Sequence, residues 1–252
     1  MNNEQISVDD LLIETHANLE RQGIGSPEMT LKALSFIDNA DKISRAADMG
    51  CGTGGQTMVL AQNISGSITG VDLLPRFIDV FNANAKKLNL EKRVNGIVES
   101  ILDLSFGKEE FDLIWSEGVI DSIGFEKGIT YWNGFLKKNG YIAVTCPSWL
   151  TNEPNAEVEK FWGDAGSKLD TTAHNISIMQ KAGYGFVAAF TLPEKDWMNY
   201  FVPREEINKA FLKKHPDNNT LKEYAKIDTY EMELYQKYNQ YYGYVFYIGK
   251  KN

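Results

Sequence analysis

The sequence predicts a doubly wound α/β fold, and three observations predict it. Short apolar, β-rich runs alternate with stretches of helical spacing from Ile43 to Cys146. A glycine turn, Asp48-Met49-Gly50-Cys51-Gly52-Thr53-Gly54, closes the first of those runs, and an acidic residue, Asp72, closes the second. Such alternation is what parallel strands joined by crossover helices require, with ligands held at the carboxyl ends of the strands.

Taken in order, Ser7-Val8-Asp9-Asp10 precedes Leu11, Leu12 and Ile13 as a capped helix would. Gly23, Gly25 and Pro27 then break the chain before a helix over Met29–Ile37. A helix followed by a flexible break suits a lid, and it suits equally a helix laid on the sheet. Strands are predicted at Ile43–Met49, Ser67–Asp72, Val94–Val98, Phe111–Ser116 and Tyr141–Cys146, with helices at Gln56–Asn63, Pro75–Leu88 and Glu126–Lys138. Two further aromatic and β-branched runs, Tyr184–Leu192 and Tyr241–Gly249, complete seven strands.

With no Gly-, Pro- or Ser-rich linker, residues 1–252 read as one domain. Its parts are an N-terminal helical lid or cap (1–40), a ligand-binding core (41–147), and an insert with the C-terminal strands (148–252). In the insert, Ser148–Ala173 carries Trp149, Phe161 and Trp162 among acidic residues, and Trp149, just past the fifth strand, is the candidate to wall a pocket. Glu157, Glu159 and Lys160 read as a solvated helix face. The C-terminal tyrosines read as core packing with hydroxyls at the rim.

Glycines at every second position let the backbone turn sharply and approach a ligand closely, ahead of a helix whose N-terminus favours anions. Gly50, Gly52 and Gly55 also fit the dinucleotide pattern Gly-x-Gly-x-x-Gly, so spacing alone leaves the nucleotide undecided. Gly54-Gly55-Gln56 lacks the lysine of a phosphate-cradling P-loop. Asp72 is placed to accept the hydroxyls of a ribose or to cap the next helix, which opens at Leu73-Leu74-Pro75.

These segments resemble the class I S-adenosylmethionine (SAM)-dependent methyltransferases. Asp48 to Gly54 is similar to that family's first motif, and Gly70-Val71-Asp72-Leu73 to its ribose-binding loop. Val94 to Phe106 resembles the adenine loop, Phe111 to Glu117 the fourth strand, and Leu136 to Val144 the turn into strand five. The resemblance is greatest to the small-molecule branch that includes ubiquinone and menaquinone C-methyltransferases. It implies a Rossmann-like, mostly parallel seven-stranded sheet with an antiparallel last strand, SAM as cofactor, and a small-molecule acceptor, for which a quinone precursor, a carboxylic acid, an amine and a thiol all fit. The implied cofactor-binding residues are Asp48, Gly50, Cys51, Gly52, Gly54, Asp72, Leu73, Ser100, Ile101 and Glu117. Asp48 would orient the cofactor's amino acid part, and Leu73 and Ile101 would pack on adenine. One departure is Ser100, which aligns where family members often carry an acid.

Methyl transfer is mainly a matter of alignment, so a general base is optional. Glu117 and Asp121, just after strand four, are the candidate catalytic carboxylates, whereas His16 and His174 lack any surrounding motif and read as structural. A formal net charge of −8 without a basic, aromatic-interleaved cluster disfavours nucleic acid as partner. Cys51 and Cys146 show neither a disulfide nor a metal-site pattern, and no metal is expected. No apolar stretch is long enough to span a membrane, and the N-terminus has no signal-like pattern, so a cytoplasmic protein is expected. Competing readings are an NAD-dependent oxidoreductase and a non-catalytic SAM-binding protein of the same fold.

Overall fold

A computed structural model describes residues 8–17 and 19–252. Its frame is a sheet of strand order β3-β2-β1-β4-β5-β8-β7. The strands are β1 (Arg45–Met49), β2 (Ser67–Asp72), β3 (Val94–Val98), β4 (Phe111–Ser116), β5 (Leu136–Trp149), β7 (Tyr184–Thr191) and β8 (Tyr242–Lys251). An eighth strand that the sequence did not predict, the two-residue β6 (Asp170–Thr171), pairs with the end of β5. Strands β1 to β5 run parallel, while β8 is antiparallel to both β5 and β7, as the resemblance implied.

The sheet is covered on both faces because its central strands are apolar on both. In β4, Leu113 and Trp115 enter one core with Ala46, Ala143 and Phe246, whereas Ile114 enters the opposite core with Met49, Ile142 and Val245. Crossover helices α3 (Gly55–Asn63), α4 (Pro75–Lys87) and α6 (Phe125–Asn133) connect the strands, with the four-residue α5 (Ile120–Ile123) between β4 and α6. Helix α4 shows how the sequence sets its face: Phe77, Ile78, Phe81 and Ala85 recur at helical spacing and are all buried.

The helix predicted over Glu126–Lys138 ends at Asn133. Leu136 pairs with Phe111 instead, and Gly140 lies between that pairing and the continuous ladder from Tyr141, so apolar spacing carried past the end of the helix into β5. The second N-terminal helix, α2 (Pro27–Leu34), starts two residues before the predicted Met29, with Ser26 capping it and Pro27 in its first turn, and stops short of Ile37. Helix α1 (Val8–His16) precedes it, and its expected cap Ser7 lies outside the described residues.

The insert forms α7 (Ala156–Asp164), α8 (Thr172–Lys181), α9 (Glu194–Lys214) and α10 (Asn219–Tyr238). Trp149 does not wall a pocket. It is 4% exposed and meets Tyr242 edge-on in a core that also holds Trp162, Trp197 and Tyr244, because β5 extends to this residue and pairs it with β8. The tail tyrosines are core residues as expected, but not all hydroxyls reach the rim. Tyr247 is tied inside to Ser148 at 2.7 Å, and the Tyr242 hydroxyl is buried without a partner. Glu157 is not merely solvated, since it accepts hydrogen bonds from Tyr230, Lys237 and Tyr238.

Candidate cofactor site at the glycine turn

Strand β1 sits between β2 and β4, where the chain reverses its direction of winding, and there the carboxyl ends of neighbouring strands diverge to leave a ligand crevice. The glycine turn occupies that position. Gly50 and Cys51 both donate their N–H to the Val71 carbonyl, at 2.8 and 2.9 Å, which folds the turn over the end of β2. Gly50 has φ +73°, and a Cβ there would stand 2.5 Å from Val119 Cγ1, so both conformation and space demand glycine. Cys51 is buried, and burial pushes its thiol well above the ordinary range, which agrees with a packing role. Gly54, left-handed at φ 89°, caps α3 with no side-chain hydrogen bond.

Asp48, one residue before the end of β1, is fully buried. Thr57, on the first turns of α3, donates to its Oδ2 at 2.5 Å, while Oδ1 has no partner. Burial, reinforced by the nearby Glu117 charge, outweighs the Thr57 hydrogen bond and raises the Asp48 carboxyl to about 7. A buried acceptor left open beside a glycine turn is a natural handle for a ligand's amino group. Asp72, at the tip of β2, accepts Gly52 N–H on Oδ2 and Leu74 N–H on Oδ1, both at 3.0 Å. It is not the cap of α4, a position taken by Leu74. Burial raises its carboxyl despite those bonds.

Leu73 stands 67% exposed beside Asp72, an apolar side chain presented at the crevice. Past β3, Ser100 pairs with Asp103 and its Oγ accepts Leu102 N–H at 3.2 Å, while the Ile101 carbonyl accepts the Trp132 indole N–H at 3.0 Å. The turn, Asp72 and Glu117 are thus gathered on adjacent strands β2, β1 and β4, with Ser100 and Ile101 beyond the neighbouring β3. Asp121 is set apart from them: its Oδ2 accepts Ser167 Oγ at 2.9 Å from the insert, and burial raises its carboxyl.

Four residues that sequence reasoning missed complete the site: Arg21, Gln22, Thr30 and Thr57. Glu117 is buried, and its oxygens accept from Arg21, from Thr30 Oγ1 at 2.8 Å and from the Trp115 indole at 2.8 Å. Gln22 Oε1 accepts both the N–H and the hydroxyl of Thr53, at 2.8 and 2.9 Å, and stands 2.6 Å from where a Gly52 Cβ would be. Residues 19–25 therefore form a strap across the front of the glycine turn, and the Gly23–Gly25 break was the sequence signal for it. Between this strap and α9 lies a cavity of about 580 Å³ that Arg21, Gly25, Glu28, Lys195 and Tyr200 help to line. A second, of about 810 Å³, is lined by Asp121, Lys127, Lys168 and His174 among others. The His16 ring is buried between Thr15 and Tyr200, and burial lowers its pKa to about 3.

The same core segment, Ala47 to Val144, matches a known family along its sequence. Residues 47–144 match the family described as a methyltransferase domain. The chain is also 32% identical over 90 residues to a probable chloroplastic tocopherol O-methyltransferase of Oryza sativa subsp. japonica, a match covering 35% of this chain and 25% of that protein. The fold is similar to that of a SAM-dependent methyltransferase from Geobacter sulfurreducens crystallised with S-adenosyl-L-homocysteine (TM-score 0.82, 18% identity, 98% of this chain and 100% of that one). The cyclase SpnF shares it more distantly (TM-score 0.72, 17% identity, 89% and 81% covered). Among the described residues no helix is long and apolar enough to cross a membrane, and no cluster of His, Cys, Asp and Glu has the makings of a metal site.

Proposed function

We propose that this protein binds SAM at the glycine turn and transfers its methyl group to a small molecule. The observation that carries the reading is the methyltransferase domain with its turn intact: Gly50, Gly52 and Gly54 all at positive φ, Asp72 bonded to the turn, and the buried Asp48 Oδ1 open. These residues fit the cofactor. Asp72 would hold the ribose, Asp48 and the backbone of Gly50, Cys51, Gly52 and Gly54 the amino acid end, and Leu73, Ser100 and Ile101 the adenine.

Bound SAM supplies a methyl group on a positively charged sulfur that leaves as a neutral thioether. The chain's own task is then alignment and exclusion of water, which the strap and the insert serve. Glu117 accepts three donors, so its role in this reading is to tie the strap to β4 beside the cofactor, not to remove a proton. Asp121, with one oxygen open, belongs to the acceptor side. A quinone-precursor-like acceptor draws support from the tocopherol O-methyltransferases, to which the chain is 32–33% identical over about a third of its length.

Calorimetric titration with SAM and S-adenosyl-L-homocysteine tests the reading, and folded protein that binds neither would sink it. An NAD-dependent oxidoreductase would instead show enhanced NADH fluorescence on binding. Because the cyclase neighbour has the same fold, transfer is tested separately with methyl-labelled SAM and metabolite extracts. Cofactor binding without labelled product would leave a non-catalytic SAM-binding protein.

A further inference from the structure

The strap over the glycine turn is fastened to β4 by Arg21 and to the turn by Gln22, and Gln22 is itself held by His16, the last residue of α1. The His16 carbonyl accepts the Leu19 N–H at 2.9 Å and Gln22 Nε2 at 3.2 Å, while Gln22 Oε1 takes the Thr53 N–H and hydroxyl. The His16 ring reaches the other way, to α9, where Nε2 lies 3.2 Å from the Tyr200 hydroxyl. A continuous run of polar contacts thus joins α9 to the glycine turn. Beside it, strap and helix stand apart across the cavity of about 580 Å³, which Leu19, Arg21 and Gly23 line together with Met198, Tyr200 and Val202 of α9.

The ring's partners fix its tautomer. Thr15 Oγ1 gives its hydrogen to the Leu11 carbonyl at 2.6 Å. His16 Nδ1, 2.8 Å from Thr15 Oγ1 and 3.1 Å from the Leu12 carbonyl, therefore faces two acceptors and carries the proton. Nε2 is left to accept the Tyr200 O–H. From α9 the ring also meets the charge of Arg204, whose guanidinium lies 4.5 Å from the Tyr200 ring centre. From α10, Tyr224 stands 3.5 Å from Thr15 Oγ1, Asp228 pairs with Arg204, and Glu231 acts on Arg204 and Tyr200. Asp10 and Glu14 of α1 and Glu20 of the strap are exposed, and Arg21 is paired with Glu117. A second proton on the ring would turn Nε2 into a donor against a hydroxyl that is already donating, and would bury a cation near Arg204.

We infer that His16 is a positioning residue for the cofactor site: its neutral ring pins the end of α1 to α9, its carbonyl holds Gln22 against Thr53, and acid loosens the strap by charging the ring. Burial and the Arg204 charge hold the seated ring's pKa down to about 3. The closed strap thus has its full stability above the ordinary histidine value of about 6.5 and loses it as pH falls toward 3, about tenfold per pH unit. The bearing of His16 on SAM rests on the proposed function; its coupling to the glycine turn does not.

Hydrogen exchange tests the coupling on the ligand-free protein. Protection of the Thr53 amide, corrected for the intrinsic pH dependence of exchange, should fall about 30-fold from pH 7.5 to pH 5 relative to amides of the β5–β8 ladder. Asp48 and Asp72 also lie at the turn and are common to wild type and variants, so the effect of His16 is the difference between them. His16→Gln keeps an acceptor for Tyr200 and cannot ionise, so it should remove that fall while matching wild type at pH 7.5. Tyr200→Phe, which takes away the ring's partner on α9, should raise Thr53 exchange several-fold at pH 7.5. The assignment is overturned if Thr53 is equally protected at both pH values in wild type, if His16→Gln shows the same fall, or if Tyr200→Phe leaves Thr53 unchanged. Bound S-adenosyl-L-homocysteine should leave wild type faster at pH 5 by the same factor, and His16→Gln should show no such change. Protein that binds none of it would count against methyl transfer, and Thr53 exchange would still decide the role of His16.

Discussion

Asp48 is the residue whose environment says most about the site. An acid whose folded-state pKa is raised to about 7 holds its proton longer folded than unfolded. Its contribution to stability is therefore full below the ordinary carboxylate range near 4 and is lost as pH rises through about 7. Asp48→Asn cannot ionise, so wild type should lose up to about 4 kcal/mol relative to the variant between pH 4 and pH 8, at roughly 1.36 kcal/mol per pKa unit. Urea unfolding at the two pH values measures it, and parallel profiles would refute the buried, open carboxyl. Asp72 offers a complementary prediction. Its carboxylate is the turn's one side-chain link to the tip of β2, and removal leaves donors unpaired. Asp72→Ala should weaken SAM binding by about 1 to 3 kcal/mol, and unaltered calorimetric affinity would reject the ribose assignment.

At the scale of elements, the strap 19–25 is the part that turns a common sheet into a covered site. The Arg21–Glu117 pair fastens it, with the Glu117 side chain 2% exposed. Removing one partner of such a pair strands a buried charge, so Arg21→Ala should cost about 3–5 kcal/mol. The double variant Arg21→Met with Glu117→Gln should recover much of that loss, and additive effects in the double-mutant cycle would show that the two side chains act separately. Gln22 sets the kinetics of the same element. A ligand that reaches Gly52 must displace its carbonyl from Thr53, so Gln22→Ala should speed SAM association a few-fold in stopped-flow fluorescence. The hydrogen bonds released are worth roughly 0.5–1.5 kcal/mol each. A rate no different from wild type would mean that SAM enters without moving the strap.

For the whole molecule, a ligand that binds only the folded state stabilises it by about 2.7 kcal/mol at a hundredfold excess over Kd. In a chain of this length that corresponds to a rise in Tm of roughly 5–10 °C. SAM should produce it and NADH should not, which separates the two nucleotide readings in one thermal-shift experiment.

Local chemistry made the frame legible in the sequence. Period-two and helical apolar patterns, the glycine turn and Asp72 at the tip of β2 are short-range signals, and the strands from β1 to β4 stand where those signals put them. Legibility failed where long-range pairing outweighed local spacing. Leu136 left its helical pattern to pair with Phe111, and Trp149 left a loop to join β8. Only the tertiary structure brought Arg21 to Glu117 and Gln22 to Thr53, contacts across 96 and 31 residues. The sequence alone determined the central parallel strands and the glycine turn, because those depend on backbone conformation and patterning. What covers the glycine turn depended on which distant side chains are desolvated together, a property that exists only once the chain has folded.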